Sequence, residues 1–153
     1  MFGIQQRWCA AAEIDGVWLQ RRSLRGRPDL WGPATEELLR FEPPVYFTGE
    51  RVAAADVDLG TLQVAAGESV VCVLASANRD PAWIERPNEL DFTRQGVRRS
   101  MAFGTGLHTC IGQHLARLEM RTLLQVLDGE APEFRVDTSG VRHRPNIIYR
   151  GLT

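Results

Sequence analysis

The chain has 153 residues, 44% hydrophobic and 24% charged, which allows about one soluble globular domain and excludes a disordered tail, a collagen-like fibre or a disulfide-dense mini-protein. Eighteen basic residues against nineteen acidic ones leave a net charge of −1. That balance argues against a dedicated nucleic-acid binder, which carries a clustered basic excess. Three cysteines (Cys9, Cys72 and Cys110) make no even disulfide framework, so a reducing, cytoplasmic location is expected. The longest strongly apolar run, Val70 to Ala75, is six residues, far short of the roughly 20 that span a bilayer. Met1 to Glu13 shows no basic stretch followed by an apolar run and cleavage site, so no signal peptide and no membrane role are expected.

In chain order, residues 1–27 hold scattered apolar residues without a lasting period and read as a poorly determined N-terminal extension. From Pro28 the signals sharpen. Pro33 to Phe41 reads as a helix that Pro43-Pro44 ends. Short strands are expected at Val45–Thr48, Arg51–Ala53, Val57–Leu59, Leu62–Val64 and Ser69–Leu74, with Gly49, Gly60 and Ala66-Gly67 between them. Ala75 to Asp80 reads as a short helix, and Pro81 to Ser100 as a long irregular segment, of a length that marks either a functional coil or a misassigned element.

Ile111 to Leu127 is the best helix in the chain. Ile111, Leu115, Leu118, Thr122 and Val126 recur at spacings of three or four, and Ala116, Met120, Leu123 and Leu127 widen the stripe. So wide a stripe predicts deep burial, and Gly129 is expected to stop the helix. Phe134 to Val136 and Ile147 to Arg150 read as terminal strands around a turn at Ser139-Gly140. The fold class expected is mainly α with small β-sheet elements (α+β).

The chemistry concentrates on Cys110, which ends the run Phe103-Gly104-Thr105-Gly106-Leu107-His108-Thr109 and precedes Ile111-Gly112. A cysteine in a loop at the head of a long helix meets free peptide N–H groups and the positive end of the helix dipole, which favour a thiolate. Gly106 can take a backbone conformation closed to other residues, and Gly112 lets a bulky planar partner approach. Phe103 offers an apolar face to shield the sulfur. No general base is evident beside the cysteine, so a metal-bound thiolate suits the arrangement better than a free nucleophile. A buried structural cysteine is the ordinary alternative for a lone Cys, and spacing alone favours it. Zinc held by His108, Cys110 and His114 is a weaker alternative, because paired-ligand spacings and a fourth ligand are missing.

Phe103-x-x-Gly106-x-x-x-Cys110-x-Gly112, within the longer run Ala102 to Glu119, resembles the haem-binding signature of the cytochrome P-450 family, bacterial members in particular. Glu37-Leu38-Leu39-Arg40 resembles the family's Glu-x-x-Arg helix, whose i, i+3 spacing puts both charges on one face. The resemblance implies that this pair meets Arg94, in Asp91-Phe92-Thr93-Arg94, as a buried network behind the haem. Ala75 to Pro81 resembles the family's segment between strand and irregular loop.

The resemblance further implies haem b as cofactor, with Cys110 as the axial iron ligand and Phe103, Gly104, Gly106 and Gly112 around it. Arg51 and His108 match donors to the haem propionates, which need charged or strong hydrogen-bond partners when buried. The implied activity is that of a haem-thiolate monooxygenase, which inserts one oxygen atom from O2 into a small organic substrate. A ferredoxin or flavoprotein would supply electrons, with Arg98, Arg99, Arg117 and Arg121 as attractors of an acidic partner or as ordinary solvated charges.

The resemblance runs from about Leu24 to the end, and residues 28–153 read as a partial haem-thiolate domain, the carboxyl-terminal portion of the family's fold. The distal oxygen-activating helix is not among its segments. Weak or no haem retention is therefore expected of the isolated chain. The alternative is a haem-free truncated remnant that acts at most as a protein-interaction module, self-associating through exposed apolar surface.

Overall fold

The computed structural model describes residues 22–94, 96–97, 100–130, 142, 146, 148 and 149. Two single-turn 3-10 helices, Arg22–Leu24 and Pro28–Leu30, lead into helix α1, Trp31–Phe41. Proline 28 opens its turn with a φ already set for a helix. The Thr35 hydroxyl donates to the Trp31 carbonyl at 2.8 Å inside α1. Glu42, which leaves the helical conformation ahead of Pro43 (φ −135°, ψ 75°), ends the helix while its N–H still bonds the Leu38 carbonyl. The helix begins two residues earlier than its sequence pattern indicates. Leu24, inside the stretch 1–27 that composition sets apart, is fully buried, so packing ties residues 22–27 to the folded body.

Four two-residue strands follow: β1 (Arg51–Val52), β2 (Val57–Asp58), β3 (Gln63–Val64) and β4 (Ser69–Val70). β1 pairs antiparallel with β4, Arg51 opposite Val70, and β2 with β3, Val57 opposite Val64. The β2–β3 turn is closed by Leu59 N–H to Leu62 O and by Gly60, at φ +86°, whose N–H bonds Asp58 Oδ1. The expected strand Val45–Thr48 is reduced to two isolated bridges, Val45 with Tyr149 and Phe47 with Val73.

The expected strand Ser69–Leu74 breaks early: its last residue opens a short helix, α2, Leu74–Ala77. The Asn78 N–H closes α2 on the Leu74 carbonyl. The long helix α3 spans Gln113–Glu130, starting two residues later than expected and running through Gly129 rather than stopping there. A glycine costs about 1 kcal/mol against alanine inside a helix, too little to end one whose neighbours favour it. Phe134–Val136, the Ser139-Gly140 turn and residues 147 and 150 lie outside the described residues.

The core has two apolar clusters with α1 between them. One joins Leu24, Leu30, Trp31, Ala34, Leu90, Phe92 and Leu124; the other joins Leu39, Ala102, Phe103 and Met120, and Leu38 packs on both. Thus α1 is the wedge that fixes α3 against the loop carrying Phe103. The deep burial expected of α3 is not found: Met120 and Leu124 are its buried residues, whereas Leu115, Leu118 and Val126 are exposed. Periodicity identified the apolar residues, but the described chain covers only one side of the helix. No helix among the described residues is long and apolar enough to cross a membrane.

Candidate functional site

The loop from Met101 to Gly112 is built by its own backbone. Gly104 (φ +68°) donates its N–H to Met101 O at 3.0 Å, and Gly106 (φ +70°) opens the single turn Gly106–His108. Both glycines occupy the left-handed region, where a Cβ is strained. The Thr109 N–H and hydroxyl both return to Gly106 O, at 3.1 and 2.8 Å. Cys110 N–H then reaches back to Phe103 O at 2.9 Å and closes the loop. Gln113 N–H on Cys110 O, at 3.2 Å, carries the chain into α3.

The result is an exposed, free Cys110 at the head of a helix. Leu107 and Ile111, on either side of it in sequence, are also fully exposed at 102% and 100%, and Leu115 one turn on is 60% exposed. A Cβ at position 112 would lie 3.8 Å from the sulfur, an ordinary contact. Packing within the chain therefore does not demand glycine there, whereas Gly112 leaves the surface beside the sulfur open. An exposed sulfur with uncovered Leu107 and Ile111 close to it in the chain suits a flat, largely apolar group that would bind a thiolate. These residues fit haem. They do not fit zinc: among the described residues no three His, Cys, Asp or Glu side chains converge on one metal position, so His108, Cys110 and His114 form no such site.

Phe103 is held from behind. It is buried against Leu39, Ala102 and Met120, and the Arg117 guanidinium lies over its ring, 4.5 Å from the centroid. Arg117 is itself fixed by Glu36, at 2.6 Å from Nε to Oε1, and by Gln113 Oε1 at 2.8 Å. Here the i, i+4 pair on α3 and a carboxylate from α1 meet one face of the loop.

Glu37, Arg40 and Arg94 are brought together in the interior. Arg40 is completely buried, and Glu37 is 1% exposed. Arg40 Nε and Nη2 donate to the two Glu37 carboxylate oxygens at 2.7 and 2.8 Å, a bidentate pair across one helical turn. Arg94 Nε donates to Glu37 Oε1 at 3.0 Å, and the Asp91 N–H joins the same oxygen at 3.0 Å. The remaining guanidinium N–H groups bond backbone carbonyls. Those of Arg40 reach Asn78, Pro87 and Glu89, and those of Arg94 reach Glu85, Arg86 and Glu89.

The irregular stretch 85–89 thus folds by wrapping its carbonyls around two buried cations. Arg51 is exposed on β1, and His108 is exposed in its turn.

Asn78 was missed by sequence reasoning. Its side chain bonds the Met101 N–H at 2.5 Å, and no periodic pattern announces a contact across 23 residues.

Asp91 titrates below the usual carboxylate range, chiefly because the Thr93 hydroxyl bonds it at 2.6 Å, with help from the Thr93 N–H, Arg94 and Arg86. Burial opposes the shift. A carboxyl lowered in the native state contributes stability that is fully present above its unfolded value, about 3.9. That contribution fades as pH falls through the native value. Thr93→Val removes the largest cause, so the Asp91 midpoint should rise in a carboxyl-detected NMR titration. An unmoved midpoint would rule out this origin.

The family model described as Cytochrome P450 matches residues 33–139. The chain is 38% identical over 133 residues to "Biotin biosynthesis cytochrome P450" of Bacillus subtilis, covering 87% of this chain and 33% of that protein. It is 39% identical over 136 residues to "Vitamin D(3) 25-hydroxylase" of Pseudonocardia autotrophica, covering 88% and 34%. The crystal structure of P450BioI in complex with hexadec-9Z-enoic acid ligated acyl carrier protein superposes with a TM-score of 0.81 at 35% identity. It covers 97% of this chain and 37% of that one. The chain therefore spans about a third of the length of these curated relatives.

Proposed function

The chain belongs to the cytochrome P450 family, whose members carry haem b, and we propose that it supplies the cysteine-ligand side of a haem-thiolate monooxygenase. Residues 28–153 are its partial haem-thiolate domain, with Leu24 packed onto it. When bound, thiolate-ligated haem supplies reductive O–O cleavage and delivery of one oxygen atom to an organic substrate. The observation that carries the reading is the exposed Cys110 sulfur, held by the Cys110-to-Phe103 backbone bond and flanked by uncovered Leu107 and Ile111.

Cys110 holds the iron. Gly104 and Gly106 set the loop, Gly112 keeps the approach open, and the Phe103 ring, fixed by Arg117, backs the loop. Arg51 and His108 are the donors to the propionates. The Glu37–Arg40–Arg94 network holds the segment that leads to the loop. The electron donor is an acidic ferredoxin or flavoprotein drawn by the exposed Arg121, Arg117 being engaged by Glu36, and the substrate is a small organic molecule. Two described cysteines are free, in keeping with a cytoplasmic, reducing location. The test is reconstitution with haem, reduction and addition of carbon monoxide. A red-shifted thiolate-type Soret band that disappears in Cys110→Ala supports the assignment, and an identical band in both chains defeats it.

A second reading is favoured by the exposed apolar face of α3, formed by Leu115, Leu118 and Val126 with Ile111 just ahead of them. In this reading the chain is a haem-free remnant that self-associates through that face. The isolated chain should then take up haem weakly, because one open side leaves the group to solvent. It should sediment as an oligomer that Leu115→Ser with Leu118→Ser returns to monomer. These two sites are solvent-facing, so the double variant should lose little stability, about 0.5 kcal/mol or less per site. A monomeric parent chain would end this reading.

A further inference from the structure

We infer that Asn78 is a positioning residue for the cysteine loop, coupling it to the buried charge network. Asn78 is fully buried and uses three of its four polar groups on three different parts of the fold. Its N–H caps α2 on Leu74 O at 3.0 Å. Its backbone carbonyl accepts from Arg40 Nη1 at 3.0 Å, inside the Glu37–Arg40–Arg94 network. Its side-chain Oδ1 accepts the Met101 N–H at 2.5 Å. Met101 begins the loop: its carbonyl takes the Gly104 N–H, and two residues on Phe103 O takes the Cys110 N–H. One residue therefore joins the cations to the turn that presents the sulfur.

The remaining group, Asn78 Nδ2, is buried with no hydrogen-bond partner among the described residues. Leaving a buried amide N–H unpaired is costly, and a smaller or apolar residue would avoid that cost. What asparagine gains in return is the acceptor for Met101 at that position. The network beside it holds two arginines and one glutamate, a net charge of +1. A carboxylate at position 78 would keep the acceptor next to that positive charge. Aspartate is therefore the conservative replacement and leucine the disruptive one.

The inference rests on Cys110 being the haem ligand, but its test uses the haem-free chain, so either can fail without the other. Amide hydrogen exchange is measured residue by residue in the wild type, Asn78→Leu and Asn78→Asp. In Asn78→Leu the amides of Met101, Gly104 and Cys110 should lose protection by about tenfold or more, while those of α1 and α3 keep theirs. Asn78→Asp should restore the Met101 amide.

A merely structural role would lower protection throughout, and that result overturns the inference. So does an Asn78→Asp chain that loses Met101 protection as fully as Asn78→Leu. Should Asn78→Leu fail to fold, the wild type still decides: a through-hydrogen-bond scalar coupling between the Met101 amide nitrogen and Asn78 Cγ is expected, and its absence refutes the proposal.

Discussion

Arg40→Leu should leave a chain that barely folds at 25 °C. The side chain is completely buried and makes five hydrogen bonds: two to Glu37, and one each to the carbonyls of Asn78, Pro87 and Glu89. Five is also the full donor count of a guanidinium, so nothing is left unpaired in the parent. Leucine replaces some volume but strands the Asn78 and Pro87 carbonyls, leaves the Glu89 carbonyl to Arg94 alone, and takes from Glu37 its closest cation. Breaking one partner out of a buried ion pair costs about 3–5 kcal/mol, against a total of roughly 5–15 for a typical domain.

Lysine at this position should recover little. Its ammonium is a point charge with three donors and cannot reproduce the fork that faces Glu37. Urea unfolding followed by tryptophan fluorescence measures the loss. A midpoint for Arg40→Leu close to that of the parent would show that the network is not what holds this body together.

Cys110→Ala should behave in the opposite way. The sulfur is exposed, so its removal should change unfolding free energy by no more than about 0.5 kcal/mol. The loop is closed by the Cys110 backbone N–H, which alanine keeps. Ligation should nevertheless vanish, and with it the thiolate-type band in the reduced carbon monoxide spectrum. The pair of variants therefore separates the two jobs of this region, one interior and structural, the other exposed and chemical. An alanine chain that unfolds early would place Cys110 in the core instead.

The cysteine loop was legible because its glycines are required locally: Gly104 and Gly106 sit at positive φ, and few residues can replace them there. The helix α1 was legible from its prolines and apolar spacing, to within two residues. Glu37 and Arg40 announced themselves as an i, i+3 pair, but spacing could not tell a solvated pair from a buried one. What decides burial is Arg94, which the family resemblance anticipated, and the carbonyls of Pro87 and Glu89, about fifty positions away, which nothing in the sequence announced.

The strands were overdrawn because runs such as Val45–Thr48 satisfy strand preference while making only single bridges. The burial of α3 was misjudged for a related reason. Amphipathic period names the residues that would be covered, whereas the cover itself must come from elsewhere in three dimensions.

The wrap of residues 85–89 around Arg40 and Arg94 separates spelling from spacing. Its contacts are made by the main-chain oxygens of Glu85, Arg86, Pro87 and Glu89, while the side chains of Glu85, Arg86 and Glu89 face water. Over evolutionary time such a stretch can change its letters at 85, 88 and 89 with little consequence. At 86, where φ is +48°, it can accept glycine or asparagine but no β-branched residue. It cannot change its length freely, because deleting one residue would pull at least one oxygen off a guanidinium, and Arg40, completely buried, has no water to turn to.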